Sequence, residues 1–181
     1  MKTATDLCAL VIRFVAMPSE PEWLEFKGNN KDPEKIGELV SGLANSAALH
    51  RQERAYIVWG IDDATHAIVG TTFRPRQMKV SGQDLEHFLA TQLTPHTNIA
   101  VHDNLVINSK VVVAFEIEPA RTAPIAFRGQ ELIRICSHNK SLKKFIAKER
   151  DLWKSFETAS FESAVAMHGL AEKAIESLSL V

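Results

Sequence analysis

Apolar positions near the start of the chain recur at helical spacing. Leu7, Leu10, Val11, Phe14 and Val15 predict an amphipathic helix over 3–16, with Thr3 or Thr5 as its N-cap. The period then changes. In Glu20-Pro21-Glu22-Trp23-Leu24-Glu25-Phe26-Lys27 the side chains should alternate as on a strand. Leu24 and Phe26 would face a core, while Trp23, Glu25 and Lys27 face the other way, on or near solvent. Pro21 favours an edge or a bend, which could turn Glu20 back toward Glu25. Asp32-Pro33 starts a second helix, with Asp32 as N-cap and Pro33 at the first helical position. Its apolar stripe, Ile36, Leu39, Val40, Leu43, Ala44 and Ala47, carries it to about His50.

Residues 55–61 form a nearly continuous apolar run, which predicts a buried central strand. After a polar turn at 62–66, residues 67–73 read as its hairpin partner. Ser81 with Asp84 predicts a capping box for a helix over 82–94, stopped by Pro95. Two further hairpins are expected, one of residues 98–107 and 110–118 around Asn108-Ser109, the other around Arg128-Gly129. Ser141 would cap a basic helix over 142–154, and an amphipathic segment follows at 160–178. One crossover helix between the first two strands predicts that they pair in parallel. The fold class is α+β: a mixed β-sheet with hairpins, a crossover helix packed on the sheet, and C-terminal helices. Residues 1–154 read as one domain. The apolar end Leu178-Ser179-Leu180-Val181 suggests that 155–181 is a helical extension leading into a longer chain.

Composition adds a few limits. The 181 residues are 45% hydrophobic and 24% charged, ordinary for a globular protein. The net charge of −1 provides no global field for a polyanion, so nucleic-acid binding would need a local patch. Cys8 and Cys136 make no CxxC and no zinc spacing, which fits a reducing, cytoplasmic setting. The apolar run at 7–12 is bracketed by Asp6 and Arg13 and is too short to span a bilayer, so no membrane partner is expected. Oligomeric state is not written in the sequence; a homodimer is left open.

Two constellations could carry chemistry. With the first two strands parallel, Glu20, Glu25 and Asp62 or Asp63 come to neighbouring strand ends. Three such acids need a cation or shared protons, because two carboxylates about 4 Å apart repel by roughly 4 kcal/mol at an effective dielectric near 20. Mg²⁺ or Mn²⁺ would suit the oxygen ligands and would serve phosphodiester chemistry. Lys27 could then hold a phosphate or developing charge. The alternative is structural: Glu20 and Glu22 solvated, Glu25 paired with Lys27, and Asp62-Asp63 serving the turn. The second constellation is basic. Between Arg134 and Lys154 stand seven Lys/Arg against two Asp/Glu, with Arg134, His138, Lys140, Lys143 and Lys144 at a strand end and helix start. Nucleic acid is the natural polyanion for it; a solvated helix face is the alternative. No P-loop, GxGxxG, HExxH or GxSxG occurs. Trp59 and Trp153 read as core or lid residues, and Trp23 as the better candidate for stacking on a base.

Several pieces occur in an order that resembles the Schlafen-type, AlbA-like domain family. They are Glu20-x4-Glu25-Phe26-Lys27, the helix end Leu43-Ala44-Asn45, the strand-turn Ile57-Val58-Trp59-Gly60-Ile61-Asp62-Asp63, Val69-Gly70, and Ile133-Arg134-Ile135-Cys136-Ser137-His138-Asn139-Lys140. The resemblance covers roughly 18–150. It implies a mixed α/β domain that binds RNA or DNA, in a regulatory or defence protein. It also implies, for some members, a metal-dependent endoribonuclease acting on structured RNA. The acidic triad of those members would fall on Glu20, Glu25 and Asp63, with Asp62 as the register alternative. Bacterial members also carry an ATP-binding label, which the missing glycines after Asn45 and at Cys136 weaken here.

Overall fold

The computed structural model describes residues 3–157. Helix α1 (Ala4–Val15) opens on Thr3, whose hydroxyl accepts from the Asp6 N–H while the Asp6 carboxylate accepts from the Thr3 N–H, a reciprocal capping box. Strand β1 (Leu24–Lys27) leads to helix α2 (Pro33–Leu49), capped by Asp32, and then to β2 (Ala55–Trp59). The pairs β3 (Lys79–Val80) and β4 (Gln83–Asp84), helix α3 (Leu85–Gln92) and β5 (Leu93–Thr94) follow. Then come β6 (Ile99–Ile107), β7 (Lys110–Ile117), β8 (Ala126–Phe127), β9 (Gln130–Ile135) and β10 (His138–Ser141). A 3₁₀ turn at Leu142–Lys144 precedes a helix over 146–157, α4.

Two four-stranded sheets result, with orders β1-β2-β7-β6 and β10-β9-β8-β5. The crossover helix joins β1 to β2 in parallel, with Glu25 opposite Ile57 and Lys27 opposite Trp59. Alternation splits the first sheet between two cores. Leu24, Phe26, Tyr56 and Val58 meet Leu7, Val11 and Phe14 of α1 on one face. Ile57, Trp59, Val113 and Phe115 meet α2 on the other. Helix α2 is buried almost continuously from Ile36 to Ala47 because it also packs on β9 of the second sheet. Its polar residues face that sheet. Asn45 Nδ2 donates to the carbonyls of Ile125 (2.9 Å) and Leu132 (2.8 Å), and its Oδ1 accepts from the Ile125 N–H (2.7 Å). The Ser41 hydroxyl donates to the Ile125 carbonyl, and the Ser46 hydroxyl accepts from the Arg134 N–H. These side chains satisfy backbone groups of the second sheet that no neighbouring strand reaches.

The structure departs from the sequence expectations at four places. The strand predicted from Glu20 is regular only from Leu24, because the Leu24 N–H bonds back to the Pro21 carbonyl in a turn. Residues 67–73 make no strand with β2; a single bridge, Ile61 to Ile68, is what remains of that hairpin. Gly60 (φ +94°) turns the chain out of β2, and a Cβ there would lie 3.0 Å from the Val111 carbonyl. Ser81 caps no helix: with Gly82 it forms the tight β3–β4 turn at positive φ, and α3 starts at Leu85 with Asp84 at the N-cap position. Ser141 ends β10 rather than capping a helix, and α4 begins only at residue 146. The segment expected at 160–178 lies outside the described residues. No helix among the described residues is long and apolar enough to cross a membrane.

Candidate functional site

Glu25 points from β1 into the space between the first sheet and β9. It is not at the surface, as alternation alone suggested, but 6% exposed. Its carboxylate accepts from Arg134 of β9 on one oxygen and from Lys27 on the other. Arg134 is 1% exposed, and the Asn139 side chain lies 3.5 Å from its guanidinium. The expected place of Arg134 in a surface patch is therefore corrected. It stands behind the acids, 109 residues along the chain from the glutamate it neutralises. The sequence hides this because alternation cannot show that a second layer covers the polar face of a strand.

The turn at Pro21 does bring Glu20 back. Its carboxylate accepts from the Phe26 N–H at 3.1 Å, on the outer edge of β1. Burial, with the neighbouring Glu25 carboxylate, pushes the Glu20 carboxyl up to about 7 from its ordinary 4.5; Asp63 adds to the shift, while the Phe26 N–H and Lys27 oppose it. Asp63 is exposed and lies 3.6 Å from Lys27. Asp62 is committed elsewhere. It accepts from the Thr65 hydroxyl and from the N–H groups of Thr65 and Ala64, bonds that hold its carboxyl below the ordinary value. The geometry thus gathers Glu20, Glu25, Asp63 and Lys27 and leaves Asp62 in the turn.

As a ligand set for Mg²⁺ or Mn²⁺ the three acids do not fit as they stand. Both Glu25 oxygens are engaged by cations, and among the described residues no group of three or more His, Cys, Asp or Glu side chains could hold a metal ion.

The structural alternative leaves Glu22 solvated, yet it joins three elements. It accepts from the Cys136 N–H in the β9–β10 turn (3.1 Å) and from Lys148 of α4 (2.7 Å), and it meets His50 at the end of α2 (2.8 Å). Burial alone would push its carboxyl up; the bonds from Lys148, His50 and Cys136 outweigh burial and hold it below the ordinary value. Pro21, which bends the chain just before Glu22, was the available signal.

The Glu20 proton has a measurable consequence. Between pH 4.5 and about 7 the folded chain holds a proton that the unfolded chain has released. Its contribution to stability is therefore full below pH 4.5 and is lost as pH rises through 7. Glu20→Gln keeps an acceptor for the Phe26 N–H and removes the charge. It is expected to stabilise the domain near pH 8 by about 1 kcal/mol, discounted for the part exposure of Glu20, and to change little near pH 5. Urea denaturation at the two pH values checks this.

The remaining basic residues of the predicted patch form no ion pair with Glu20, Glu25 or Asp63 among the described residues. His138 and Lys140 lie on β10, an edge strand of the second sheet, and Lys143 and Lys144 lie in the 3₁₀ turn after it. All four are exposed.

Residues 20–143, more than two thirds of the chain, match the family described as Schlafen, AlbA_2. The chain belongs to that family. This Schlafen AlbA_2 domain is also similar to a solved structure, the DIP2311 protein from Corynebacterium diphtheriae, at 17% identity and a TM-score of 0.47. That match covers 76% of this chain and 26% of the other, so the chain spans about a quarter of the length of that protein. No curated protein matches it.

Proposed function

We propose that this Schlafen AlbA_2 domain binds RNA or DNA through the cationic edge of His138, Lys140, Lys143 and Lys144. The observation that supports this reading is that these four exposed side chains have no ion-pair partner among the described residues. Many of the other cations are paired: Lys27, Lys35, Arg54, Arg76, Lys79, Arg128, Arg134 and Lys148 each face a carboxylate. Unpaired lysines on a chain of net charge −1 form a local field suited to phosphates.

Titration of labelled RNA and DNA by fluorescence anisotropy tests this reading. The double variant Lys143→Glu, Lys144→Glu is expected to weaken binding to both polymers by roughly tenfold or more at low salt. Unchanged affinity would remove this edge from the interface.

A second reading, a divalent-metal-dependent endoribonuclease acting on structured RNA, is favoured by the Glu20 carboxyl. A group held near neutrality beside two other acids is typical of reactive sites. A metal could engage Glu25 only by displacing Lys27 or Arg134 from it. Gel analysis of the same RNA samples with Mn²⁺ or Mg²⁺ decides: intact RNA ends this reading, whereas cleavage that Glu25→Gln abolishes with binding retained supports it.

A further inference from the structure

The protein closes most of its free strand backbone with its own groups. On the outer side of β1 the Leu24 N–H donates to the Pro21 carbonyl and the Phe26 N–H to Glu20. On β6 the Val101 carbonyl accepts from Arg76 and the Val106 carbonyl from the Cys8 thiol. On β9, beyond the reach of short β8, Ser41, Asn45 and Ser46 take the groups of Leu132 and Arg134. Strand β10 ends its sheet and is the exception. Ile135 pairs with His138 across the two-residue turn Cys136-Ser137, and Ile133 with Lys140. A pair that closes such a turn exchanges both bonds, so His138 and Lys140 aim their backbone groups at β9. Asn139 and Ser141 aim theirs outward. Their partners Arg134 and Leu132 agree, since their N–H groups turn the opposite way, to Ser46 and Ser41. No hydrogen bond from another described residue closes this outer edge.

Donors and acceptors alternate along this edge. Phosphates only accept, so they satisfy its N–H groups and leave its carbonyls; an extended peptide satisfies both. A second β10 would set His138 and Lys140 against their own kind, which is how lysine blunts an edge. Charge narrows the occupant further. No Asp or Glu stands between Glu131 and Glu149. Within that span Arg134 and Lys148 are paired, with Glu25 and Glu22, whereas Lys140, Lys143 and Lys144 are exposed and make no ion pair among the described residues. Glu38, one helical turn before the Gly42 that Asn139 packs against, is held by Lys35. We propose that β10 takes up, by strand addition, an extended acidic peptide segment of a partner protein. Carboxylates at alternate positions of that segment face His138 and Lys140. The segment covers the cations assigned above to nucleic acid and so excludes nucleic acid from the edge. That exclusion rests on the nucleic-acid reading; the strand addition does not.

The test uses the full chain and a labelled synthetic peptide of alternating Glu and Val, followed by fluorescence anisotropy. Two control peptides carry Pro in place of Val, which removes the strand donors, or Lys in place of Glu. The Glu-Val peptide should bind, and both controls should bind at least tenfold more weakly. On the protein side the variant is Ser141→Pro. The φ of −62° at Ser141 is the angle a proline ring imposes, so this change removes one outward N–H and keeps every charge. It is expected to weaken the Glu-Val peptide by roughly threefold to tenfold, the worth of one hydrogen bond. Ser141→Ala, which keeps the N–H, should bind as the parent does, and equal melting temperatures would exclude a folding defect. RNA and DNA should bind Ser141→Pro as they bind the parent, and the Glu-Val peptide should displace them. No binding of the Glu-Val peptide at low salt would overturn the proposal. So would equal binding of the proline peptide, or an unchanged affinity of Ser141→Pro for the Glu-Val peptide, because capture would then rest on charge alone. A loss confined to RNA and DNA in Ser141→Pro would assign the edge donors to phosphates and overturn the strand addition. Peptide binding by a chain that binds neither RNA nor DNA would support the strand addition and end the nucleic-acid reading.

Discussion

Replacing Arg134 with methionine is expected to destabilise the domain by about 3 kcal/mol. Arg134 is almost fully buried, and its guanidinium neutralises a glutamate that is itself 6% exposed. Removing one member of a buried pair leaves the other charge without compensation, which costs more than the pair contributes as a unit. The figure sits at the low end of the usual 3–5 kcal/mol range because Lys27 still contacts Glu25. The double variant Glu25→Leu, Arg134→Met should recover most of the loss, since an apolar pair of similar volume removes both desolvation penalties. Arg134→Lys should not rescue, because a single ammonium cannot reach Glu25 and Asn139 as the guanidinium does. Urea denaturation of the four chains measures these differences. A loss below about 1 kcal/mol for Arg134→Met would show that Lys27 alone compensates Glu25.

Asn45→Leu is expected to cost on the order of 3–5 kcal/mol, although leucine is close in size and favours helix. The Asn45 side chain makes three buried bonds, to both backbone groups of Ile125 and to the Leu132 carbonyl. Leucine would leave those groups buried without partners, at about 1–3 kcal/mol each before relaxation. The loss should appear as a lower midpoint with an unchanged denaturant slope. Near-native stability would mean that water or the Ser41 hydroxyl takes over those groups.

Much of the frame was legible because local signals carried it. Thr3 with Asp6, Asp32 with Pro33, and the apolar stripe after Ile36 mark helix starts and faces through contacts a few residues apart. The positive-φ turns at Asn108-Ser109 and Arg128-Gly129 mark their hairpins in the same way. What was not legible depends on distant partners. Nothing near Glu25 announces a guanidinium from β9, and nothing near Glu22 announces Lys148 or the Cys136 N–H. Ser41, Asn45 and Ser46 did leave a trace. Polar residues inside the otherwise apolar stretch 39–49 of α2 signal a buried helix segment serving another segment's backbone. Ser81 misled because its spacing to Asp84 fits a capping box as well as a tight turn, and the neighbouring Gly82 at positive φ decides for the turn. At the site, Asp63 separates from Asp62 only when the bonds of the 62–65 turn are seen.

The most direct measurement is the affinity of the chain for RNA and DNA as a function of salt. Engagement of the lysines at 140, 143 and 144 predicts that log K falls linearly with log salt, with a slope of about −2 to −3. Absence of binding to either polymer at low salt, or binding that does not respond to salt, would contradict a nucleic-acid role for this edge.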